Sequence, residues 1–291
     1  MFWPVGPLVD AAWLARHLGD PDVVVLDCRF DLSDPEAGER AYRRGHIPGA
    51  LYVHLERDLS GPVGRHGGRH PLPTPEAFAA AMGARGVGEG RMAVVYDHDA
   101  GTAPRAWWLL RYMGHDAVAV LDGGIAAWEA AGMPLEQGAP VPVPRPFVPR
   151  PRAHWVVDRD TVRRLPPGAV LVDARAPERY RGEVEPIDPR PGRIPGAVSA
   201  FFREGLGPDG RWRNRDEQRR RFAHLLGPGE RMVAYCGSGV TACANLLAAT
   251  IAGLPDGLLY AGSYSDWISY PDAEVEVGEP GATAAEGEGT G

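Results

Sequence analysis

The sequence predicts an α/β fold made of two copies of one unit, each a mostly parallel sheet flanked by helices. Short apolar runs alternate with segments of helical period along the chain, which is typical of parallel sheets with crossover helices. Three segments of the first half also recur in the second half, at separations of 139 to 147 residues. A repeat of this length indicates two domains rather than a solenoid, whose units are far shorter.

The elements of the first copy follow from periodicity and end signals. A helix with Asp10 near its start is predicted over residues 8–18, where apolar positions have helical spacing. Continuous apolar runs predict buried strands over Val23–Asp27, Met92–Tyr96 and Val118–Leu121. Further helices are predicted from Thr74 or Pro75 to Met82, over Ala106–Met113 and over Gly124–Ala131.

The second copy repeats three landmarks of the first. Ala169–Arg175 repeats Val23–Arg29, Gly192–Ala197 repeats Gly45–Ala50, and Ala261–Trp267 repeats Asp122–Trp128. We therefore predict an N-terminal domain over 1–132, a proline-rich linker over 133–155 and a C-terminal domain over 156–277. Residues 278–291 contain no large apolar side chain and are predicted to be disordered.

The composition excludes several classes of function. The chain has 291 residues and a net charge of −7, which argues against nucleic acid and anionic membranes as main partners. All 31 basic residues are arginine, so Schiff-base chemistry, a pyridoxal-phosphate lysine and a Walker-type phosphate loop are ruled out. A site for an anionic substrate must then be a local arginine cluster.

Cysteine usage and the lack of long apolar runs favour a cytoplasmic protein. The three cysteines form neither a paired framework nor a zinc spacing, which favours a reducing compartment. Residues 1–20 lack the basic segment and apolar run of an export signal, and no apolar stretch of about 18 residues follows. We interpret Cys28 and Cys243 as packing residues, with a regulatory disulfide between Cys236 and Cys243 as the alternative.

One turn in the second copy combines a cysteine with two glycines. Met232–Tyr235 is predicted as a buried strand and Cys243–Ala252 as a helix. Between them, Gly237 and Gly239 allow the backbone to curl its amides inward around Cys236. These amides and the helix N-terminus favour negative charge, so we expect a reactive Cys236 thiolate. The alternative is a buried structural cysteine.

The segment Cys236–Ala242, Cys-Gly-Ser-Gly-Val-Thr-Ala, resembles the active-site loop of the two-domain rhodanese superfamily, and within it the 3-mercaptopyruvate sulfurtransferases. The duplication of the chain is similar to the tandem rhodanese-like domains of that superfamily. The resemblance implies that a sulfur atom is carried on Cys236 and held by the loop amides. The loop residues that would hold it are Gly237, Gly239, Val240 and Thr241.

The first copy is expected to be catalytically silent. Asp97 lies 139 positions before Cys236, within the segment Tyr96-Asp97-His98-Asp99. A carboxylate cannot hold a transferable sulfur, and the resemblance implies an inactive first domain that helps to form the cleft. A metal site on Asp97, His98 and Asp99 is disfavoured because adjacent side chains point in divergent directions.

Two arginines are candidates for binding a substrate carboxylate. Arg179 matches the family arginine that has this role, and Arg190 is the candidate for a second family arginine further along the chain. A guanidinium suits the task because its fork matches a carboxylate in a bidentate contact. The alternative interpretation is that both are surface arginines in a polar loop.

The segment Gly68–Pro73 resembles the first-domain segment that places a histidine beside the loop serine in mercaptopyruvate sulfurtransferases. The resemblance implies a relay of Ser238, His70 and Asp58. Such a relay can deliver a proton to the enolate left when sulfur departs. His66 competes with His70 for this role, and a solvated loop histidine is the alternative.

These residues predict a sulfurtransferase that needs no metal or organic cofactor. Cys236 would take sulfur from a small anionic donor, and a thiol acceptor such as thioredoxin or a small thiol, or cyanide, would remove it. Mercaptopyruvate is the expected donor, because thiosulfate-specific relatives usually carry basic residues directly after the cysteine, where this chain has Gly237 and Ser238.

Three other functions remain as alternatives. They are a thiosulfate sulfurtransferase, a phosphatase on a rhodanese-like fold, and a non-catalytic persulfide carrier or interaction module. The phosphatase is disfavoured because phosphatase loops of this superfamily close with an arginine, and no arginine lies between Cys236 and Gly253.

Overall fold

The computed structural model describes residues 6–279 and contains two five-stranded sheets whose paired strands are all parallel. The strands are β1 Leu8–Val9, β2 Val23–Asp27, β3 Leu51–Tyr52, β4 Met92–Tyr96, β5 Val118–Leu121, β6 Val156–Val157, β7 Ala169–Asp173, β8 Val198–Ser199, β9 Arg231–Tyr235 and β10 Leu258–Tyr260. Their orders, β1-β5-β4-β2-β3 and β6-β10-β9-β7-β8, follow one topology. This confirms the predicted pair of α/β units.

Helices flank both sheets. They are α1 Ala11–His17, α2 Ala37–Arg44, α3 Leu55–Asp58, α4 Pro75–Ala84, α5 Ala103–Tyr112, α6 Gly124–Ala130, α7 Arg159–Arg163, α8 Pro177–Tyr180, α9 Arg215–Ala223, α10 Ala242–Ala252 and α11 Ser263–Trp267. Short 3₁₀ helices span Ala153–Trp155 and Phe202–Gly205.

The start of the chain differs from the prediction of one helix over residues 8–18. Leu8–Val9 is an edge strand that pairs with β5, and the helix begins at Ala11. Asp10 is its N-cap, and its carboxylate accepts the amide of Trp13 at 2.6 Å. The apolar pair alone cannot reveal the strand, because its partner lies more than a hundred residues away.

The repeated Asp-x-Arg segments anchor the loops that follow β2 and β7. Arg29 donates to the buried carboxylate of Asp27 at 2.6 Å and to the carbonyl of Gly45 at 2.7 Å. Arg175 and Asp173 form the same pair at 2.7 Å in the second copy. Each ion pair therefore holds the start of a repeated loop against the sheet.

Helices α5 and α10 pack against each other between the two sheets. Their apolar side chains, among them Trp107 and Leu247, belong to one core that runs through both domains. The linker runs along the first domain, where the amide of Arg152 donates to the carbonyl of Tyr112 at 2.8 Å. Since α5 follows β4 and α10 follows β9, this packing brings the loops at the carboxyl ends of both strands to one cleft.

The structure bears on two further expectations, a disordered C-terminal tail and the lack of a membrane-spanning segment. Of the predicted disordered tail, only Gly278 and Glu279 lie within the described residues. Within residues 6–279, no helix has the length and apolar character needed to span a membrane.

Candidate active site

The loop Cys236–Thr241 joins β9 to α10 and curls around the sulfur of Cys236. Gly239 has a φ of +78°, and a Cβ at this position would lie 2.3 Å from the carbonyl oxygen of Ala261. Glycine is therefore required here. The amide of Gly239 lies 3.1 Å from Sγ of Cys236, and the amide of Cys236 donates to Oγ of Ser263 at 3.1 Å.

Cys236 lies on the wall of a cavity of about 320 Å³ between the two domains. The cysteine is only 2% exposed, so a reagent must reach it through this cavity. Four further loop residues line the cavity: Gly237, Ser238, Val240 and Thr241. Cys28 and Cys243 are buried free thiols, so the alternative disulfide between Cys236 and Cys243 is not formed in this structure.

A histidine of the first domain contacts the loop serine. Nδ1 of His70 lies 2.8 Å from Oγ of Ser238, and both residues are buried. Burial, reinforced by the positive charges of Arg105 and Arg69, lowers the pKa of His70 to about 4. The imidazole is therefore neutral at pH 7.

The carboxylate nearest to the other ring nitrogen of His70 belongs to Glu56 and not to Asp58. Oε1 of Glu56 lies 3.9 Å from Nε2 of His70. The carboxylate of Asp58 instead accepts from Arg85 at 2.7 Å and from the amide of His54 at 2.7 Å. Because both carboxylates lie on the single turn of α3, residues two positions apart face different directions. The expectation that Asp58 completes the relay is therefore corrected, since its carboxylate is engaged elsewhere, and Glu56 lies near Nε2 of His70 without a hydrogen bond to it.

The two predicted carboxylate-binding arginines are placed differently. Arg179 lines the cavity and forms ion pairs with Glu185 at 2.7 Å and with Asp188 at 3.0 Å. Arg190 is not among the residues that line this cavity, and its Nη1 donates to the carbonyl of Ala273 at 2.6 Å. The structure therefore brings only Arg179 to Cys236.

His66, the competitor of His70, joins the domains away from the loop serine. Its Nδ1 lies 2.7 Å from Oγ of Ser269, and its ring stacks on that of Tyr270 with centroids 4.0 Å apart. These contacts hold the first-domain loop against the end of α11, and they leave the place beside Ser238 to His70.

Two arginines of the first domain reach the site without any local pattern that marks them. Arg105 is fully buried and donates to the carbonyls of Gly239 and His70, both at 3.1 Å. Arg69 lines the cavity, and its Nη2 would lie 2.8 Å from a Cβ placed on Gly237. Only the positions of these arginines in the sequence could have indicated them. Arg69 adjoins His70, and Arg105 lies in the first turn of the helix after the Asp97 loop.

The corresponding loop of the first domain curls around a carboxylate. Oδ1 of Asp97 accepts the amide of Ala100 at 2.9 Å, and Oδ2 accepts those of Thr102 and Ala103 at 2.8 and 2.7 Å. Burial, with the charge of Asp99, raises the pKa of Asp97 to about 6 although these amides lower it. Within residues 6–279, no group of three His, Cys, Asp or Glu side chains could hold a metal ion.

The chain is similar to known proteins in sequence and in structure. Residues 10–131 and 159–270 each match the family described as Rhodanese-like domain. The chain is 49% identical to a Pseudomonas aeruginosa protein that carries the provisional name 3-mercaptopyruvate sulfurtransferase, over 94% of this chain and 98% of that protein. It is 38% identical to a Mycobacterium tuberculosis protein provisionally named thiosulfate sulfurtransferase, over 93% and 97%. The crystal structure of SseA from Escherichia coli, a 3-mercaptopyruvate sulfotransferase, covers 90% of this chain and 100% of its own, with a TM-score of 0.80 and 34% identity.

Proposed function

The chain belongs to the rhodanese family and is a sulfurtransferase, and we propose that it moves sulfur from 3-mercaptopyruvate through a persulfide on Cys236 to a thiol or cyanide. The observation that carries the choice of donor is the 2.8 Å contact between Oγ of Ser238 and Nδ1 of His70, beside Cys236. Removal of sulfur from mercaptopyruvate leaves an enolate that needs a proton. A serine hydroxyl on a neutral histidine is suited to deliver it.

In the first half-reaction, the Cys236 thiolate forms an S–S bond to the donor's sulfur as the donor's C–S bond breaks. The electron pair of that bond leaves on the enolate of pyruvate, whose methylene carbon takes up a proton through Ser238. The donor's own thiol proton balances this uptake, so the persulfide is left as an anion. Arg179 holds the donor's carboxylate, and the amide of Gly239 faces Sγ of Cys236, the atom that bonds to the donor's sulfur.

In the second half-reaction, an acceptor thiolate or cyanide bonds to the outer sulfur of the persulfide. The S–S bond breaks, and the thiolate of Cys236 is regenerated, so the kinetics are of the ping-pong type. We expect thioredoxin or a small thiol as the acceptor, in the cytoplasm. Both half-reactions proceed with protein side chains alone and require no metal or organic cofactor.

Thiosulfate is the second candidate donor, and one feature of the site favours it. Gly237 and Ser238 place no charge of their own beside Cys236, which argues against a compact dianion. Arg69 of the first domain nevertheless reaches Gly237 across the cleft, and its charge is available to an anion there. The relative from Mycobacterium tuberculosis carries the name of a thiosulfate enzyme.

Steady-state rates measured in parallel with the two donors decide between them. At matched, subsaturating concentrations, the proposal predicts faster turnover with mercaptopyruvate than with thiosulfate. Faster turnover with thiosulfate would contradict the choice of donor.

A further inference from the structure

We propose that Arg105 is a positioning residue for the reactive sulfur: its buried guanidinium holds Gly239 against Cys236 and supplies the positive charge that balances the anion on that sulfur. Arg105 belongs to α5 of the first domain, and the loop on which it acts belongs to the second. The inference rests on the proposed function, because it concerns the same cysteine, but it holds for either sulfur donor.

The guanidinium of Arg105 donates to backbone carbonyls. Its Nη1 contacts the carbonyl of Gly239 at 3.1 Å, and its Nη2 contacts those of His70 at 3.1 Å and of Leu59 at 3.5 Å. Within residues 6–279, its Nε has no hydrogen-bond partner and no carboxylate forms an ion pair with it. Arg105 has 0% exposure, and a guanidinium buried without a counter-ion is costly because nothing offsets its desolvation.

The other cationic groups around Cys236 do not share this feature. Four arginines line the cavity that contains Cys236, and each forms an ion pair: Arg69 with Asp188, Arg175 with Asp173, Arg179 with Glu185, and Arg203 with Asp99. His70 is neutral at pH 7, because burial lowers its pKa to about 4. The charge of Arg105 is therefore the one in this set that lacks a carboxylate.

The anions nearest to Arg105 can form only on sulfur. Burial lowers the pKa of Arg105, and negative charge on Cys243 or Cys236 would raise it again. The thiol of Cys243 donates to the carbonyl of Gly239 at 3.4 Å, and burial raises its pKa to about 12, so it stays protonated at neutral pH. Cys236 is left as the sulfur that can balance the guanidinium, first as a thiolate and then as a persulfide.

The loop around Asp97 shows what happens without such an arginine. Ala244 lies 139 positions after Arg105, so at this position the second domain extends no guanidinium toward the Asp97 loop. Asp97 accepts three backbone amides, yet burial and the charge of Asp99 raise its pKa to about 6. Amides alone therefore do not keep a buried anion fully charged in this type of loop.

The pH dependence of alkylation of Cys236 by iodoacetamide tests the charge of Arg105. The reagent is neutral, and Cys28 and Cys243 have 0% exposure, so Cys236 is the thiol that it reaches through the cavity. Arg105→Gln keeps hydrogen-bond donors but removes the charge. It should move the midpoint of the pH profile upward by about one pH unit. The rate constant on the alkaline plateau should stay within about threefold of the wild type, because the thiolate itself is intact.

Two further variants separate charge from structure. Arg105→Lys keeps a positive charge and should recover most of the shift in the midpoint. Arg111→Gln is the matched control, because it makes the same change of charge further along α5, at a residue that does not line the cavity of Cys236. It should leave the profile unchanged. If Arg105→Gln slowed alkylation equally at every pH, or kept the wild-type midpoint, the role of Arg105 as a source of charge would be wrong.

A measurement on the wild type covers the case in which Arg105→Gln does not fold. Salt screens exposed charges strongly and buried charges weakly. If the buried Arg105 balances the sulfur, the midpoint should move by less than about 0.3 pH units between about 0.05 M and 1 M NaCl. An upward shift of about one unit would assign the balancing charge to the exposed arginines of the cavity and would overturn the proposal.

Alkylation requires no sulfur donor, so its outcome is independent of the choice between mercaptopyruvate and thiosulfate. If the midpoint depends on Arg105 and the wild type prefers thiosulfate, the role of Arg105 stands and mercaptopyruvate fails as the donor. If mercaptopyruvate is preferred and the midpoint does not depend on Arg105, the role of Arg105 alone is wrong.

Discussion

The loops after β4 and β9 follow a similar backbone course, but they curl around different side chains. In the first domain, the two carboxylate oxygens of Asp97 accept three backbone amides at 2.7 to 2.9 Å. In the second domain, the sulfur of Cys236 accepts the amide of Gly239 at 3.1 Å. Gly239 is the counterpart of Ala100 in the repeat, as Cys236 is of Asp97.

The first domain therefore fills its anion site with its own side chain. A carboxylate has two oxygens where Cys236 has one sulfur atom. The amides of Thr241 and Ala242 are the counterparts of the two amides that bind Oδ2 of Asp97, so they mark a place for a second atom. That place suits the outer sulfur of a persulfide.

We expect the largest loss of activity from removing the proton relay of Ser238 and His70. Ser238→Ala or His70→Ala should lower kcat/KM for mercaptopyruvate about a thousandfold, because the enolate loses its source of protons. Thiosulfate turnover should be spared, since its departing group needs no such proton. His98→Ala is the control in the first loop, because His98 is exposed and does not line the cavity that contains Cys236. Equal losses with both donors would rule out the relay.

Gly239→Ala should have the next largest effect. The added Cβ would meet the carbonyl oxygen of Ala261 at a φ of +78°, so the loop must shift and the amide must leave the sulfur. We expect a loss of about 3 kcal/mol in transition-state binding, or about a hundredfold in kcat/KM. The mirror variant Ala100→Gly should leave turnover unchanged, and a comparable loss there would show that both loops take part in the chemistry.

Arg179→Ala should cost about 2 kcal/mol, or about thirtyfold in kcat/KM for mercaptopyruvate, because a bidentate contact is lost. Arg179→Lys should recover only part of this, since an ammonium group lacks the fork. The repeat places Ser33 at the corresponding position of the first domain. Arg190→Ala is the matched control and should be neutral in the same assay. A loss of kcat/KM for Arg190→Ala together with no loss for Arg179→Ala would show that Arg190 is the anchor.

The smallest effect on turnover should come from Asp97→Asn, which we expect to stay within about threefold of the wild type. The pKa of Asp97 is raised from 3.8 to about 6 in the folded protein. Between these values the native state binds more protons than the unfolded state, so this group lowers stability as the pH rises.

Denaturant unfolding across this range checks the sign. Between about pH 4 and pH 7, the free energy of unfolding of the wild type should fall relative to that of Asp97→Asn, by at most about 3 kcal/mol. Parallel profiles for the two proteins would show that Asp97 titrates at its ordinary pKa.

Features encoded in contiguous residues could be predicted from the sequence. Three segments that recur at separations of 139 to 147 residues predicted two copies of one unit. One of them, the Asp-x-Arg segment, contains both partners of an ion pair within three residues. The Cys236 loop was equally predictable, since its glycines, its strand and its helix are adjacent in the chain. The motif around His70 led to Ser238 only through resemblance, because the two residues lie 168 positions apart.

Contacts that depend on side-chain direction or on docking of the domains could not be predicted. Asp58 and Glu56 are two positions apart, and only the placement of α3 decides which of them faces His70. Arg69 and Arg105 act across the cleft, where their partners Asp188 and Gly239 belong to the other domain. Composition and spacing along the chain carry no information about such pairs.

The claim that Cys236 carries the transferred sulfur, and that the first loop carries none, is tested most directly by mass spectrometry of the intact protein. After incubation with mercaptopyruvate and no acceptor, the wild type and Asp97→Asn should each be heavier by one sulfur atom. Cys236→Ser should show no gain. A gain of one sulfur atom by Cys236→Ser, or its loss in a folded Asp97→Asn variant, would contradict the assignment.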